Sequence, residues 1–527
     1  MNERVARGVA GSAVLIGAIT ILARVAGFAK QYVFANTVGT NCLATAYFTA
    51  NQIPNIVFEV VVGGALAGMV VPVLAGRSAD VGRISSALLT WVLVVLVPLG
   101  ALTALLAGPI IGLFFGDGVC AGGSEVATRM LVVFAPQIPL YGVAVVLYGV
   151  LQAHQRFAGP AVAPLVSSIV VIAAYLLFVP LDAGVLPGQL ATPAAELALS
   201  VGTSLGVVAL VVSVVGPVLG LRLRWRPTLS FPPGVAVQVR RLALAGIAGL
   251  VAQQAAMALV VFLANDVGTG AIAVYNYAWA VYLVPYAVLA VPIATSAFPG
   301  LSARASDGDV DGFALLAART TRAVVLVSGL AAGVLAGVSS PGAIVFLGFK
   351  TDVAPAELAR AVAMFAPGLI GYGLIAHLSR VLYAAGRGRA VAVGTVAAWL
   401  VVMVAQTVFV HLFPAGWKIG GMALGMTVGM TVGGVLLLAS VVRARGRAAV
   451  SGLGRAAAAG VGGAVCGYLA GAGVVAGLDA EGLWGNLGAT VLAGVAAVVV
   501  GALVAALVDR PDARTLVSLV LRRGGSR

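Results

Sequence analysis

About fourteen long apolar segments follow one another along this chain, and the polar stretches between them are too short to fold on their own. Each segment holds roughly 20 or more residues with few charges, which is the length that an α-helix needs to cross a bilayer. Hydrophobic residues make up 61% of the chain and charged residues only 9%, and this excludes a water-soluble fold. The sequence therefore predicts an all-α polytopic membrane protein with about fourteen transmembrane helices.

The charges between the segments predict how the chain is oriented. An even number of spans places both termini on one side, and most of the 31 lysine and arginine residues fall on that side. By the positive-inside rule this side is the cytoplasm. The net charge of +14 is explained by topology and by attraction to anionic membrane lipids, so it does not indicate nucleic-acid binding. The predicted spans are residues 9–34, 44–75, 84–115, 126–152, 161–181, 194–221, 235–264, 271–300, 313–347, 356–384, 389–413, 419–442, 455–477 and 484–508.

The chain carries no enzyme signature. It has no HExxH, Walker or GxSxG sequence and only three histidines, so hydrolysis and ATP-driven pumping are not predicted. The three cysteines, Cys42, Cys120 and Cys466, are scattered and predict neither a disulfide framework nor a metal site. We expect a secondary transporter, a flippase or a channel without a cofactor, with an ion gradient or the membrane potential as the candidate energy source.

An internal duplication organises the chain. Residues 134–156 and 365–387 align without a gap, and residues 35–40 match residues 264–269. Both matches place the first helix on the seventh and the fourth on the tenth, so the repeat is a parallel unit of six helices, as in many alternating-access transporters. The identities of the longer match include Phe134/Phe365, Ala135/Ala366, Pro136/Pro367, Tyr141/Tyr372, Gly142/Gly373 and Arg156/Arg387. The predicted domains are an N-terminal lobe (1–227), a C-terminal lobe (228–447), two final helices (448–508) and a basic cytoplasmic tail (509–527).

Polar side chains lie inside the first predicted span. Thr20, Arg24 and Gln31 recur at the spacing of one helix face, which directs Arg24 toward the bundle interior. Lys30 lies on another side near the outer end, where either a cavity mouth or the membrane interface accommodates its charge. Because a charge in hydrocarbon costs at least about 2.5 kcal/mol, we interpret Arg24 and Lys30 as candidate substrate-binding residues.

The second predicted span has a polar face of its own. Asn51, Gln52, Asn55 and Glu59 recur at three- and four-residue steps around Pro54, which interrupts backbone hydrogen bonding. This pattern predicts a locally irregular cavity lining. We assign Asn55 to substrate binding and regard Asn51 and Gln52 as weaker lining candidates.

Glu59 is the only acid well inside a predicted span, and by helix rise it lies within roughly 8 Å of the depth of Arg24. Two interpretations stay open, a structural salt bridge with Arg24 and a role in ion coupling or substrate handling. In the eighth predicted span, Asn276 and Tyr277 are further lining candidates, although tyrosines near an interface also serve as membrane-belt residues.

Short motifs in the chain resemble a known family. The run Arg24-Val-Ala-Gly-Phe-Ala-Lys30, followed by Ile53-Pro54-Asn55 and Val71-Pro72, is similar to the first two helices of the MurJ (MviN) lipid II flippase family. The run Leu151-Gln-Ala-His-Gln-Arg156-Phe157 resembles the junction of its fourth and fifth helices. The resemblance extends over the full length, because the family also has two six-helix lobes and two final helices.

The resemblance implies a V-shaped two-lobe fold, shared with polysaccharide flippases and multidrug antiporters. It implies transfer of lipid II, or a related polyprenyl-pyrophosphate glycan, across the bacterial plasma membrane in cell-wall synthesis, with cell-wall synthases as candidate partners. Arg24 matches a cavity arginine of the family, and Lys30 keeps the charge of a second arginine. The family also implies that the polyprenyl tail lies in a groove formed by the last two helices.

Four positions depart from the family pattern. Thr45 stands where the family commonly has an aspartate, Ala280 stands at a helix-eight arginine position, and Phe58 and Glu59 replace paired arginines of Gram-negative members. Because a buried pyrophosphate needs cationic partners, Arg24 and Lys30 are the expected cations. The alternatives are a secondary exporter or antiporter of another polyprenyl-linked glycan or amphiphilic small molecule, and a non-transporting cell-wall scaffold.

Overall fold

The apolar segments fold as helices throughout the computed structural model, which describes residues 3–60, 81–115, 120–184, 190–223, 225–232, 235–348 and 351–511. A π-helical turn, Tyr286–Ala290, lies between the helix that ends at Pro285 and the helix that begins at Val291. The α-helices of these ranges are α1 (Glu3–Thr37), α2 (Cys42–Glu59), α3 (Val81–Leu105), α4 (Ala107–Phe114), α5 (Gly123–Phe134), α6 (Gln137–Ala153), α7 (Ala158–Leu181), α8 (Pro193–Leu219), α9 (Val235–Val267), α10 (Ala271–Pro285), α11 (Val291–Ser306), α12 (Val310–Gly337), α13 (Ser339–Leu347), α14 (Pro355–Phe365), α15 (Gly368–Ala384), α16 (Gly388–Leu412), α17 (Lys418–Arg445), α18 (Leu453–Gly477) and α19 (Gly482–Val508).

The helices confirm the predicted multi-pass fold. Eleven helical segments of the described residues are long and apolar enough to cross a membrane, and α14 with α15 makes a twelfth span bent by 44°. These twelve coincide with the third to fourteenth predicted spans. The first two predicted spans coincide with α1 and α2, and residues 61–75 of the second lie outside the described ranges. The chain is therefore a multi-pass membrane protein.

The chain forms two compact units, Met1–Ala273 and Val274–Arg527. In the first unit α1 packs on α7, α2 on α5, α3 on α6 and α7 on α8. In the second unit α16 packs on α17, α15 on α17, α18 on α19 and α12 on α18. The predicted lobe boundaries at 227/228 and 447/448 remain predictions.

The duplicated motif Phe-Ala-Pro breaks a helix at the same place in each unit. The α5 helix ends at Phe134 and α6 begins at Gln137, while α14 ends at Phe365 and α15 begins at Gly368. Proline has no N–H to continue the helical hydrogen bonds, so carbonyl groups are left without partners at the break. A hydroxyl from a neighbouring helix satisfies them: Ser204 donates to the Val133 carbonyl at 2.9 Å, and Thr427 donates to the Met364 carbonyl at 2.7 Å.

The turn after each broken helix is also repeated. Arg156 N–H donates to the Leu151 carbonyl and Arg387 N–H to the Leu382 carbonyl, each at 2.8 Å. This bond closes a Schellman motif, which requires a left-handed residue just before the donor. Gly386 supplies it with φ of 71° in the second unit, whereas the non-glycine Gln155 adopts φ of 57° in the first.

Small residues let the last two helices of the second unit pack closely on α12 and on each other. A Cβ atom at Gly329 of α12 would lie 2.7 Å from the Gly460 carbonyl oxygen of α18, and one at Gly463 of α18 would lie 2.8 Å from the Gly501 carbonyl oxygen of α19. Such close backbone approach is how membrane helices gain van der Waals contact without a hydrophobic driving force.

The cysteines correct one expectation from the sequence. Cys42 and Cys120 form a disulfide bond, with their Cα atoms 6.0 Å apart and a sequence separation of 78. Cys466 is a free, half-buried cysteine. Spacing gave no signal for the pair, because the fold brings together the start of α2 and the turn that precedes α5.

Candidate functional site

The cations of α1 lie on an accessible part of the first unit. Thr20 and Arg24 are exposed, and Lys30 and Gln31 are half-buried. Among the described residues, ion pairs join Arg129 to Glu196, Arg304 to Asp309 and Arg455 to Asp509, and neither Arg24 nor Lys30 forms one. Their charges are therefore not neutralised by a direct partner in the described part of the chain.

The polar face of α2 is continuous. The helix runs from Cys42 to Glu59 through Pro54, and Asn41 caps it by accepting a hydrogen bond from Ala44 N–H at 3.0 Å. Asn51, Gln52 and Asn55 are half-buried, and Glu59 is exposed at its end. A partly accessible amide and carboxylate side by side can accept and donate hydrogen bonds to a polar ligand.

Glu59 lies within electrostatic range of Arg24, although the two side chains make no direct ion pair. The first unit therefore brings together two of the residues that the sequence singled out. In the second unit Asn276 is half-buried, whereas Tyr277 is completely buried and packs on Phe346 with ring centroids 5.4 Å apart. In this conformation Tyr277 is a core residue.

A buried hydrogen-bond cluster that the sequence did not reveal ties helices together in the first unit. The Tyr47 hydroxyl lies 2.7 Å from the Tyr175 hydroxyl and 2.9 Å from Thr203 Oγ1, with all three side chains buried. The second unit has a similar link, because Gln406 donates to the Tyr275 hydroxyl at 2.9 Å. Gln406 follows Tyr175 at the same 231-residue offset as the sequence repeat. Extending the alignment to these two positions would therefore have indicated the equivalent links from the sequence.

A second hydrogen-bond cluster holds the end of α9 against α2 and α4 within the first unit. Asn265 donates to Thr49 Oγ1 at 3.0 Å and to the Phe114 carbonyl at 2.7 Å, and Gly270 N–H donates to Thr45 Oγ1 at 2.8 Å. Asn265, Thr45 and Thr49 are at most 1% exposed. Thr45, which departs from the family aspartate, is thus a buried hydrogen-bond acceptor for a backbone amide.

An apolar groove of about 470 Å³ opens between α12 and α19 in the second unit. Its lining is almost entirely aliphatic, with one hydroxyl, and includes no residue of α18. This groove has α12 as the second wall beside α19, and the expected groove between the last two helices remains a prediction. The lining residues are Val334, Val338, Thr490, Val491, Gly494, Val495, Val498 and Val499.

Comparison with known proteins assigns the family. The profile of the family described as lipid II flippase MurJ matches residues 34–478, well over half of the chain. The chain belongs to the MurJ family. The lipid II flippase MurJ of Burkholderia cenocepacia is 27% identical over 392 residues, which is 70% of this chain and 72% of the relative. The probable lipid II flippase MurJ of Vibrio cholerae is 26% identical over 319 residues, so the match spans 58% of each protein.

Solved structures share the fold of this MurJ family member. A lipid II flippase MurJ in an inward closed conformation superposes with a TM-score of 0.75 at 19% identity, covering 94% of this chain and 99% of that one. An inward-facing multidrug resistance MATE family transporter of the MOP superfamily gives a TM-score of 0.66 at 15% identity, covering 84% of this chain and 99% of that one. The predicted all-helical, multi-pass fold is confirmed.

Proposed function

We propose that this chain flips lipid II from the cytoplasmic to the outer leaflet of the bacterial plasma membrane by alternating access. Membership of the lipid II flippase MurJ family over residues 34–478 is the observation that carries this proposal. The repeated helix break and the repeated hydrogen-bond links support it, because transporters with parallel repeats alternate access by rocking one repeat against the other. The protein acts as a transporter and catalyses no covalent reaction.

The headgroup binds through the cations of α1 and the polar face of α2. The pyrophosphate of lipid II is anionic, and charge-assisted hydrogen bonds to it are about twice as strong as neutral ones. Arg24 and Lys30 supply these bonds, and neither is held in an ion pair within the described part of the chain. Asn55 adds a hydrogen-bonding amide on the facing polar stretch of α2.

The polyprenyl tail stays in the lipid phase and lies along the aliphatic groove between α12 and α19. An aliphatic surface has no polar groups that need hydrogen-bond partners in the hydrocarbon of the bilayer. A polyprenyl tail that lies there gains van der Waals contact and loses no hydrogen bond. The groove can hold the alkyl chain of a lipid whatever headgroup that lipid carries. It therefore contributes binding affinity, whereas α1 and α2 select the headgroup.

Depletion of the resident lipid II flippase in a bacterium that expresses this chain tests the proposal. The wild type is expected to restore growth and to restore lipid II that is accessible from outside the cell. Arg24→Ala is expected to insert normally and to lose both. Arg24→Lys keeps the charge, although not the bidentate geometry of arginine, and is expected to restore part of the transport.

The matched control is Arg129→Ala. Arg129 is an exposed arginine of α5 that pairs with Glu196 and is not part of the proposed headgroup site, so this variant should transport normally. An inserted wild type that exports no lipid II would exclude this substrate in favour of another polyprenyl-linked glycan or amphiphile. Growth restored without lipid II export would instead indicate a scaffold.

The remaining expectations follow from the same proposal. Both termini lie in the cytoplasm, as the arginine-rich segments on that side require under the positive-inside rule. Glu59 couples transport to an ion gradient or to the membrane potential, because it is an exposed acid within electrostatic range of Arg24. Anionic lipids bind the basic cytoplasmic surface, and cell-wall synthases are the expected protein partners.

A further inference from the structure

Two aromatic rings lie beside the polar face of α2. The centroids of Phe58 and Tyr141 are 4.3 Å apart, and their planes are inclined by 47°. Both rings are half-buried, whereas Tyr47 and Phe134, whose rings meet edge to face, are almost fully buried. The Phe58–Tyr141 pair is therefore the partly accessible edge of the buried aromatic cluster in the first unit.

Hydrogen-bonding and charged groups surround this pair. Phe58 directly precedes Glu59 and lies one helical turn after Asn55, so the three share one part of α2. Glu59 lies within electrostatic range of both Tyr141 and Arg24. One neighbourhood of the first unit thus holds an aromatic surface, an amide, a carboxylate and a guanidinium.

The second unit has an equivalent ring pair. Tyr286 and Tyr372 stack with centroids 4.1 Å apart and planes inclined by 24°. Tyr372 aligns with Tyr141 in the sequence repeat, and Tyr286 aligns with Phe58 in the register that matches Tyr47 with Tyr275.

In that register the positions of Asn55 and Glu59 are held by Leu283 and Ala287. Packing therefore accounts for the ring pair that both units keep. It does not account for the amide and the carboxylate, whose aligned positions in the second unit are apolar, and which are expensive in a membrane unless they have a ligand or a function.

We propose that Phe58 and Tyr141 stack against the sugar ring bonded to the pyrophosphate, while Asn55 and Glu59 bind its hydroxyl groups. A pyranose has a C–H face that packs on aromatic rings and a rim of hydroxyls that both donate and accept hydrogen bonds. The order of groups also fits, since Arg24, within electrostatic range of Glu59, would meet the phosphate that the sugar carries.

This assignment rests on the proposed flippase function and refines its headgroup site. It gives a physical reason for the departure of this chain from the paired arginines of Gram-negative members at positions 58 and 59. An aromatic ring and an acid replace two cations there, so recognition moves from the phosphates to the adjoining sugar. Arg24 and Lys30 keep the phosphate contact.

Binding measurements on the purified full-length protein in lipid nanodiscs test the assignment. The probes are polyprenyl pyrophosphate and the same lipid carrying a single hexosamine. The wild type is expected to bind the sugar-bearing lipid more tightly than the bare one. Tyr141→Leu is expected to weaken binding of the sugar-bearing lipid by about tenfold, the order of one aromatic stacking contact, and to leave the bare lipid unchanged. Tyr141→Phe keeps the ring and should bind both lipids as the wild type does.

The matched control is Tyr372→Leu at the equivalent position of the second unit, which should leave the ratio of the two affinities unchanged. Equal losses for both lipids in Tyr141→Leu, or an equal effect of the two leucine variants, would show that the ring only supports packing and would overturn the assignment. A wild type that prefers the sugar-bearing lipid and yet fails to export lipid II in cells would retain the sugar site and reject the flippase function.

Discussion

Asn265 donates a hydrogen bond across 3.0 Å to Thr49, a residue 216 positions earlier in the chain, and both side chains are buried. The same amide group reaches the Phe114 carbonyl at 2.7 Å. One side chain therefore joins the ends of α9 and α4 to the middle of α2 in the first unit.

Replacing Asn265 with leucine is expected to lower the free energy of unfolding by about 1 to 3 kcal/mol, because the buried Thr49 hydroxyl and the partly buried Phe114 carbonyl lose their donor. Thermal unfolding in detergent measures the loss. Thr49→Val and the double variant complete a cycle, and the double variant should lose less than the sum of the single losses. Additive losses would mean that the two side chains do not stabilise each other.

The disulfide between Cys42 and Cys120 predicts a difference in thiol reactivity. Because disulfides persist on the oxidising side of the membrane, we expect only Cys466 to react with a maleimide under denaturing, non-reducing conditions, and all three cysteines to react after reduction. Cys42→Ser should lower stability by about 2 to 4 kcal/mol. Cys466→Ser, which breaks no bond in the described structure, serves as the control. Three reactive thiols without reduction would contradict this prediction.

Glu59 predicts a dependence of transport on membrane potential. Moving one charge across 100 mV changes the free energy by about 2.3 kcal/mol, so Glu59→Gln should bring the ratio of transport rates with and without an imposed potential close to one. Lipid II export from proteoliposomes measures both rates. Glu125→Gln removes an exposed acid in the first turn of α5 and should keep the wild-type ratio. An unchanged ratio in Glu59→Gln would remove this residue from coupling.

Gln155 and Gly386 predict stability changes of opposite sign. Both residues hold the left-handed position of the same repeated turn, a conformation that costs a non-glycine residue roughly 1 to 2 kcal/mol. Gln155→Gly is therefore expected to raise stability by about 1 kcal/mol, and Gly386→Ala to lower it by a similar amount. Thermal unfolding of the two variants checks the signs, and a shift in the same direction for both would show that the turn is not strained.

Much of the fold followed from local properties of the sequence. The lengths and hydropathy of the apolar segments predicted the spans, because a bilayer permits only helices of a narrow range of lengths there. The duplicated Phe-Ala-Pro motif predicted that the fourth and tenth spans are equivalent. Both spans break at that motif because proline cannot continue the helical hydrogen bonds. The polar faces of α1 and α2 were also visible, since each is a periodicity within one helix.

Contacts between distant segments were decided by the tertiary structure alone. Nothing in their spacing pairs Cys42 with Cys120, and the ring of Phe58 meets Tyr141 only because α2 packs against the start of α6. The groove beside α19 has α12 as its other wall because α18 packs closely on both helices, on α12 at Gly329 and on α19 at Gly463. Helical periodicity tells which face of a helix is polar or small, but which neighbour that face meets depends on how all the helices pack together.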